Sequence, residues 1–269
     1  MSIISWDALF KLFVARFFQR RQLSAITEHE VSHQAQKIDA VVLCPTESHW
    51  RRLAETAFYF FKHYNLIEFK STTDRLTENG YYLITSRVRS YLHQTKGANF
   101  ENTVSCIVST KRPQNVLTKV PRLRFSQLEK GHYIANELID THLYVISELP
   151  IEEKYYPLLL FAAGKQREEV LQTFVAKGEM EYISIALILY PETMRRIYTM
   201  PKGDYPTIEE NLNVLIDWFG IDAITETYLK SHRLDGLIEA IIRRVDKNQA
   251  RQLIQSILDE LDEEKEDIP

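Results

Sequence analysis

The stretch Asn65-Leu66-Ile67-Glu68-Phe69-Lys70 places two ionisable side chains of opposite sign inside an otherwise apolar run. Side chains alternate between the two faces of a strand. Leu66, Glu68 and Lys70 therefore share one face, and Ile67 and Phe69 take the other. A second short run, Lys37-Ile38-Asp39-Ala40-Val41-Val42-Leu43, is β-prone, holds a single carboxylate and is ended by Pro45. If these two strands pair, Asp39 comes close to Glu68.

The segments around them read as mixed α/β. The apolar positions Ile4, Leu9, Leu12, Phe13 and Phe17 fall at helical spacing and predict an amphipathic first helix running to about Gln22. That pattern is broken by Asp7, Lys11 and Arg16 and lacks a small-residue cleavage site, so it is not read as a signal peptide. Ser24 to His33 is polar and stays unassigned. Ser48 is expected to cap a helix from about His49 to about His63. Thr77 to Gln94 is helical and is closed by Lys96-Gly97. Thr103 to Ser109 is a strand, Pro113 and Pro121 bracket a short helix, and His132 to Asn136 with His142 to Ser147 form a closing pair of strands. Phe58, Phe60, Phe61 and Tyr64 are expected in the core.

At Pro150 the pattern changes to helical periodicity throughout. Helices are expected over 152–163, 167–177, 180–190, 208–219, 221–229 and 234–261, with a loop over 198–206 and an acidic tail over 259–267. The expected organisation is a domain of residues 1–150 and an all-α region of residues 151–269. Charge divides at the same place. Residues 1–150 hold 19 Lys+Arg against 14 Asp+Glu, a net of +5, and residues 151–269 hold 14 against 23, a net of −9. The first part can face a polyanion; the second would repel one.

Asp39 and Glu68 supply two carboxylate oxygens of the kind that Mg²⁺ or Mn²⁺ prefers. The backbone carbonyl of Phe69, between Glu68 and Lys70, can point towards the same ion. Lys70 would orient the attacking water or stabilise charge growing on a phosphate. The plainer alternatives are a local Glu68–Lys70 ion pair worth under ~1 kcal/mol and a strand-edge Asp39.

The stretch Tyr64-Asn65-Leu66-Ile67-Glu68-Phe69-Lys70-Ser71, followed by Thr72-Thr73-Asp74-Arg75-Leu76-Thr77, resembles the PD-(D/E)XK nuclease superfamily. The closer resemblance is to its recombination-promoting nuclease/transposase-like branch. The Asp39 strand and Ser109-Thr110-Lys111-Arg112-Pro113 after a strand fit the same layout. The resemblance covers roughly residues 1–150. It implies a restriction-endonuclease-like core, a central mixed sheet flanked by helices, and a Mg²⁺- or Mn²⁺-dependent endonuclease acting on DNA. Asp39 and Glu68 would be metal ligands and Lys70 the catalytic lysine. Ile38 stands before Asp39 where the family pattern has Pro, and Asp7 is the only acidic residue before Glu28. A catalytically silent nuclease fold that binds DNA or a protein partner, with the helical half as the interaction module, is the alternative.

Other polar features are weaker. Arg87, on the helix after Glu-x-Lys, is a candidate phosphate contact, or else part of a solvated basic face. Lys111 and Arg112 open a basic stretch that continues through Lys119, Arg122 and Arg124; it could follow a DNA backbone or form a charged surface loop. His29-Glu30-Val31-Ser32-His33 matches H-E-x-x-H, but its flanks are polar and three fixed positions match often by chance. Cys44 and Cys106 sit in apolar runs and are expected to be buried free thiols in a reducing cytoplasm. No apolar run is long enough for a membrane span. A homodimer is compatible with two cuts in a duplex, though no residue specifies it.

Overall fold

A computed structural model of the chain describes residues 6–30, 37–119 and 125–198. The helices expected beyond residue 206, the acidic tail, Pro121, Arg122, Arg124 and the second half of H-E-x-x-H lie outside the described residues, as does the loop expected over 198–206, apart from Tyr198 at the end of the last described helix. The elements are α1 (Trp6–Arg20), β1 (Ser24–Glu30), β2 (Lys37–Leu43), α2 (Glu47–Leu53), β3 (Tyr64–Lys70), α3 (Glu78–Gln94), β4 (Thr103–Ser109), α4 (Gln114–Lys119), β5 (Ser126–Glu129), β6 (His132–Asn136) and β7 (Asp140–Val145). After them come α5 (Tyr156–Leu159), α6 (Gly164–Lys177), α7 (Met180–Leu189) and α8 (Pro191–Tyr198). The fold is α/β.

The strands form one seven-stranded sheet in the order β1-β2-β3-β4-β7-β6-β5. β1, β2 and β3 run antiparallel, with Val41 opposite Leu66 and Ala40 opposite Ile67. β3 and β4 are parallel, as are β4 and β7, and β6 and β5 return antiparallel. The parallel β3–β4 step requires a crossover, which α3 supplies. Its apolar positions Tyr81, Ile84, Val88 and Tyr91 recur at helical spacing and bury against Leu66, Ile107 and Leu143.

The other face is aromatic. Phe10, Phe13, Val14, Phe17 and Phe18 of α1 are buried, and Phe10 stacks on Phe69 with ring centroids 4.2 Å apart. Phe161, just past α5, packs edge-on against Phe10 and Phe13. The buried stripe of α1 is thus turned by one position from the expected one; Leu9 and Leu12 are only half-buried. The face of β3 that carries Leu66 therefore lies under α3, and the face that carries Phe69 lies under α1.

Several boundaries differ from expectation. β1 fills the unassigned polar stretch. α2 begins at Glu47, capped by Thr46 rather than Ser48, and stops at Leu53 rather than His63. Thr46 explains the start, since its backbone N–H and its Oγ1 both meet His49 Nδ1. Thr56 explains the end: its hydroxyl and its backbone N–H both donate to Leu53 O, and its Oγ1 accepts the Phe58 N–H, so the side chain replaces the helical ladder. Phe58 and Phe61 are buried as expected, while Phe60 and Tyr64 are only partly so. The expected helix over 152–163 is a 3₁₀ turn, Glu153–Tyr155, followed by the single-turn α5; Phe161 and Ala162 then donate to carbonyls three residues back. β5, with four exposed residues, was not anticipated. No helix among the described residues is long and apolar enough to cross a membrane.

Asn65 ties the start of the hairpin together. Its Oδ1 accepts the Lys62 N–H at 2.7 Å, and its Nδ2 donates to Val42 O and Lys62 O. Cys44 and Cys106 are buried free thiols, and burial raises both above the usual thiol range.

β6 and β7 bury a pair of histidines. His132 Nε2 lies 2.8 Å from His142 Nδ1; His132 stacks on Tyr144 and His142 on Phe60. Burial lowers His132 from 6.5 to about 4 and His142, with added repulsion from His132, to about 3. The unfolded chain takes up these protons near pH 6.5, whereas the folded chain resists until far lower pH. Stability therefore falls as pH drops from 6.5 towards 4, by up to about 1.4 kcal/mol per pH unit for each histidine. In His142→Phe, urea unfolding across that window should lose about one histidine's worth of slope. An unchanged slope would exclude the pair as its source.

Candidate active site

Asp39 and Glu68 stand where the β2–β3 ladder gives out. Its register runs from Leu43–Tyr64 to Ala40–Ile67. One position further, the Asp39 side chain takes over from the backbone: its Oδ2 accepts the Phe69 N–H at 2.8 Å. Within a strand the N–H and C=O of one residue face the same neighbour. The Phe69 carbonyl therefore also faces β2, on the side where Asp39 lies. The other oxygen of Asp39 meets Lys11 Nζ of α1 at 3.4 Å, both side chains being about 13% exposed.

Glu68 is 3% exposed. Such a carboxylate needs a partner, because burial without one costs several kcal/mol. The partner is Arg87 on α3, whose Nη1 donates to Oε1 at 2.9 Å. The pairing is incomplete, since Arg87 Nε is buried and has no hydrogen-bond acceptor among the described residues. Burial first and the charge of Asp39 second push Glu68 up, Arg87 and Lys70 hold it down, and the balance leaves it at about 7. Two carboxylates thus repel each other across the strand pair.

Lys70 follows on the same face of β3, with 15% of its side chain exposed, and donates to Asp74 Oδ2 at 2.7 Å. The end of β3 is fastened to the end of β4: Lys70 O accepts from the Thr110 N–H and hydroxyl. This brings the turn holding Lys111 and Arg112 beside Lys70. Arg112 is held by Glu148 Oε1 and Tyr133 OH, each 2.6 Å from its Nη1, while Lys111 is exposed.

Of the residues singled out in the sequence, Asp39, Glu68 and Arg87 are thus brought together, with Lys70 next along the strand. Lys111 and Arg112 lie at the neighbouring strand end. The structure pairs Arg87 with Glu68, not with solvent, and it adds Lys11 and Asp74. Lys11 carried a signal, a cation interrupting an apolar helix; Asp74 carried none beyond its loop. His29 and Glu30 lie in strand β1, so the helical face that a zinc-binding H-E-x-x-H needs is not formed there. Among the described residues no group of three or more His, Cys, Asp or Glu side chains converges. Asp39, Glu68 and the Phe69 carbonyl would nevertheless offer only oxygen donors, and the repulsion between the carboxylates is what a divalent cation would relieve. Comparison of the chain with protein-family models, curated proteins and solved structures finds no match.

The raised Glu68 carboxyl has a measurable consequence. Between its ordinary 4.5 and about 7 the folded state holds this proton more tightly than the unfolded state. The Glu68 contribution to stability thus declines as pH rises through that window, by up to about 1.4 kcal/mol per pH unit. Glu68→Gln should gain on the wild type across this window in urea unfolding and run parallel to it above. A constant difference would show that Glu68 ionises normally.

Proposed function

We propose that the chain is a metal-dependent DNA endonuclease built on a restriction-endonuclease-like core. The observation that carries this reading is the convergence of Asp39, Glu68 and Lys70 at one end of two adjacent strands, with the two carboxylates close enough to shift Glu68. The order of elements supports it. A mixed sheet flanked by helices, with the Asp39 and Glu68 strands adjacent in it and α3 and β4 following, is compatible with the core that the sequence resemblance implies.

In this reading Asp39, Glu68 and the Phe69 carbonyl would hold Mg²⁺ or Mn²⁺. The cation would supply Lewis-acid polarisation of the phosphodiester and a more acidic water. Arg87 and Lys11 offset the charge of Glu68 and Asp39. Phe69 N–H fixes the direction of Asp39. Lys70, released from Asp74, would place its ammonium against the non-bridging phosphate oxygens, where negative charge grows. The rest of the catalytic part is unassigned, because no third acidic side chain joins the pair among the described residues.

One observation favours a second reading. Both carboxylates already have cationic partners, and carboxylates held in ion pairs are what a nuclease fold that no longer cuts would retain. Such a protein would bind DNA or a protein partner without hydrolysis.

The test is cleavage of plasmid and linear DNA with Mg²⁺ or Mn²⁺. The wild type should nick or cut, and Glu68→Ala should lose at least about 100-fold in rate, as expected for removal of a group that acts on the transition state. Circular dichroism must show the variant folded. Equal cleavage by wild type and Glu68→Ala would sink the hydrolytic reading. Absence of millimolar Mg²⁺ or Mn²⁺ binding by calorimetry, with DNA binding intact, would establish the silent fold instead.

A further inference from the structure

A cavity of about 260 Å³ opens at the carboxyl ends of the parallel strands β3 and β4. Ser71, Arg75 and Thr77 line it from the loop between β3 and α3; Lys111, Arg112 and Asn115 line it from the turn after β4 and the start of α4. In open α/β sheets, ligands collect outside this end of the strands, where loops are free to vary. Ser71 follows Lys70 directly, so the cavity adjoins the site without sharing its carboxylates.

The lining is cationic. It contains two arginines and a lysine and no carboxylate. Arg112 is committed to Glu148 and Tyr133, and its Nε donates to Gln114, so it braces the wall. Arg75 and Lys111 are different. Arg75 Nε reaches only Thr72 O, at 3.5 Å, and among the described residues neither cation is ion-paired. Two cations beside a concavity with no acid among its lining residues are an electrostatic sink for an anion.

The remaining groups are already in place. Ser71 Oγ accepts the N–H groups of Thr73 and Asp74, which folds the loop. Thr77 caps α3 by accepting the Gly80 N–H at 3.0 Å, and the positive end of that 17-residue helix adds to the field. Asn115 contributes an amide that can donate and accept.

Size and lining narrow the ligand. The volume is below the roughly 300–1,000 Å³ of pockets that enclose a whole small ligand. No aromatic ring lines it, so a base has nothing to stack on. A phosphate with its attached sugar matches both limits. We propose that this cavity is a backbone subsite, which holds one sugar-phosphate of the nucleic-acid strand beside the phosphodiester presented to Asp39 and Glu68. This deepens the nuclease reading and rests on it for the identity of the strand.

Binding can be measured apart from cleavage. In EDTA, fluorescence anisotropy with a labelled single-stranded and a labelled duplex oligonucleotide reports affinity, and NMR titration with deoxyribose 5-phosphate reports the isolated fragment. Arg75→Ala/Lys111→Ala should weaken oligonucleotide binding by at least about ten-fold and reduce the salt slope by about one to two. Asn115→Asp, which puts a carboxylate in the cavity, should do at least as much while leaving the fold unchanged by circular dichroism. Lys165→Ala removes a 90% exposed lysine remote in sequence and should change little.

Wild-type affinity in both cavity variants would overturn the subsite, even if Mg²⁺-dependent cleavage were observed. Loss of binding in the variants of a protein that never cleaves would uphold the subsite and reject only the hydrolysis. Binding of deoxyribose 5-phosphate without any oligonucleotide binding would overturn the nucleic-acid assignment, leaving a pocket for free sugar phosphates. Failure of the wild type to bind either probe would overturn it outright.

Discussion

Everything proposed for this chain depends on one hydrogen bond: the Phe69 N–H donated to Asp39 Oδ2. At that point the backbone ladder between β2 and β3 stops, and a side chain takes its place. The substitution has two effects. It satisfies an N–H that the diverging strands would otherwise strand, and it turns Asp39 in towards β3 instead of out into solvent. The stack of Phe10 on Phe69 secures the same residue from below, so Phe69 is held by α1 through its ring and by β2 through its backbone. Glu68 and Lys70, its neighbours in sequence, inherit that rigidity.

The cost of the arrangement is electrostatic. Glu68 is nearly inaccessible and faces a second carboxylate, so burial and repulsion act in the same direction on its protonation. A sheet selected only for stability gains nothing by this: replacing a buried ion pair with apolar groups is often neutral or stabilising. Arg87 makes the carboxylate tolerable without making it comfortable, since its Nε is left without an acceptor. Strongly perturbed carboxylates cluster at functional sites. The His132–His142 pair shows the contrast. It is equally buried, but its two rings are hydrogen-bonded to each other and stacked on Tyr144 and Phe60, with no charged partner needed.

The central strands were legible because their apolar runs are short and sharply bounded. Lys37 to Leu43, Tyr64 to Lys70 and Thr103 to Ser109 fall where their composition puts them. The edge strands were not. β1 and β5 each have one neighbour, and their residues need no apolar face; Ser126 to Glu129 is exposed along its whole length. Pairing makes them strands, and pairing is invisible in local sequence. The ends of α2, set by Thr46 and Thr56, are hard to read locally because hydroxyls there compete with the backbone. In the candidate site, residue type and alternation point to Asp39, Glu68 and Lys70. The partners came from elsewhere in the chain: Lys11 from the first helix, and Arg87 from a helix whose basic residues look solvated until the sheet is built beneath it.

Position within the sheet also decides which of the basic residues can matter. β3 and β4 are parallel, so their carboxyl ends lie side by side, and the Thr110–Lys70 hydrogen bonds lock them in register. Lys70, Ser71, Lys111 and Arg112 follow those ends directly. An antiparallel β3–β4 pair would have sent Lys111 to the opposite edge of the sheet, some 20 Å away for strands of this length. The crossover through α3 therefore does two jobs: it buries Leu66 and Ile107 under one helix, and it brings two loops that are distant in sequence to a single edge. A charge surplus spread over residues 1–150 becomes a local field only because of that topology.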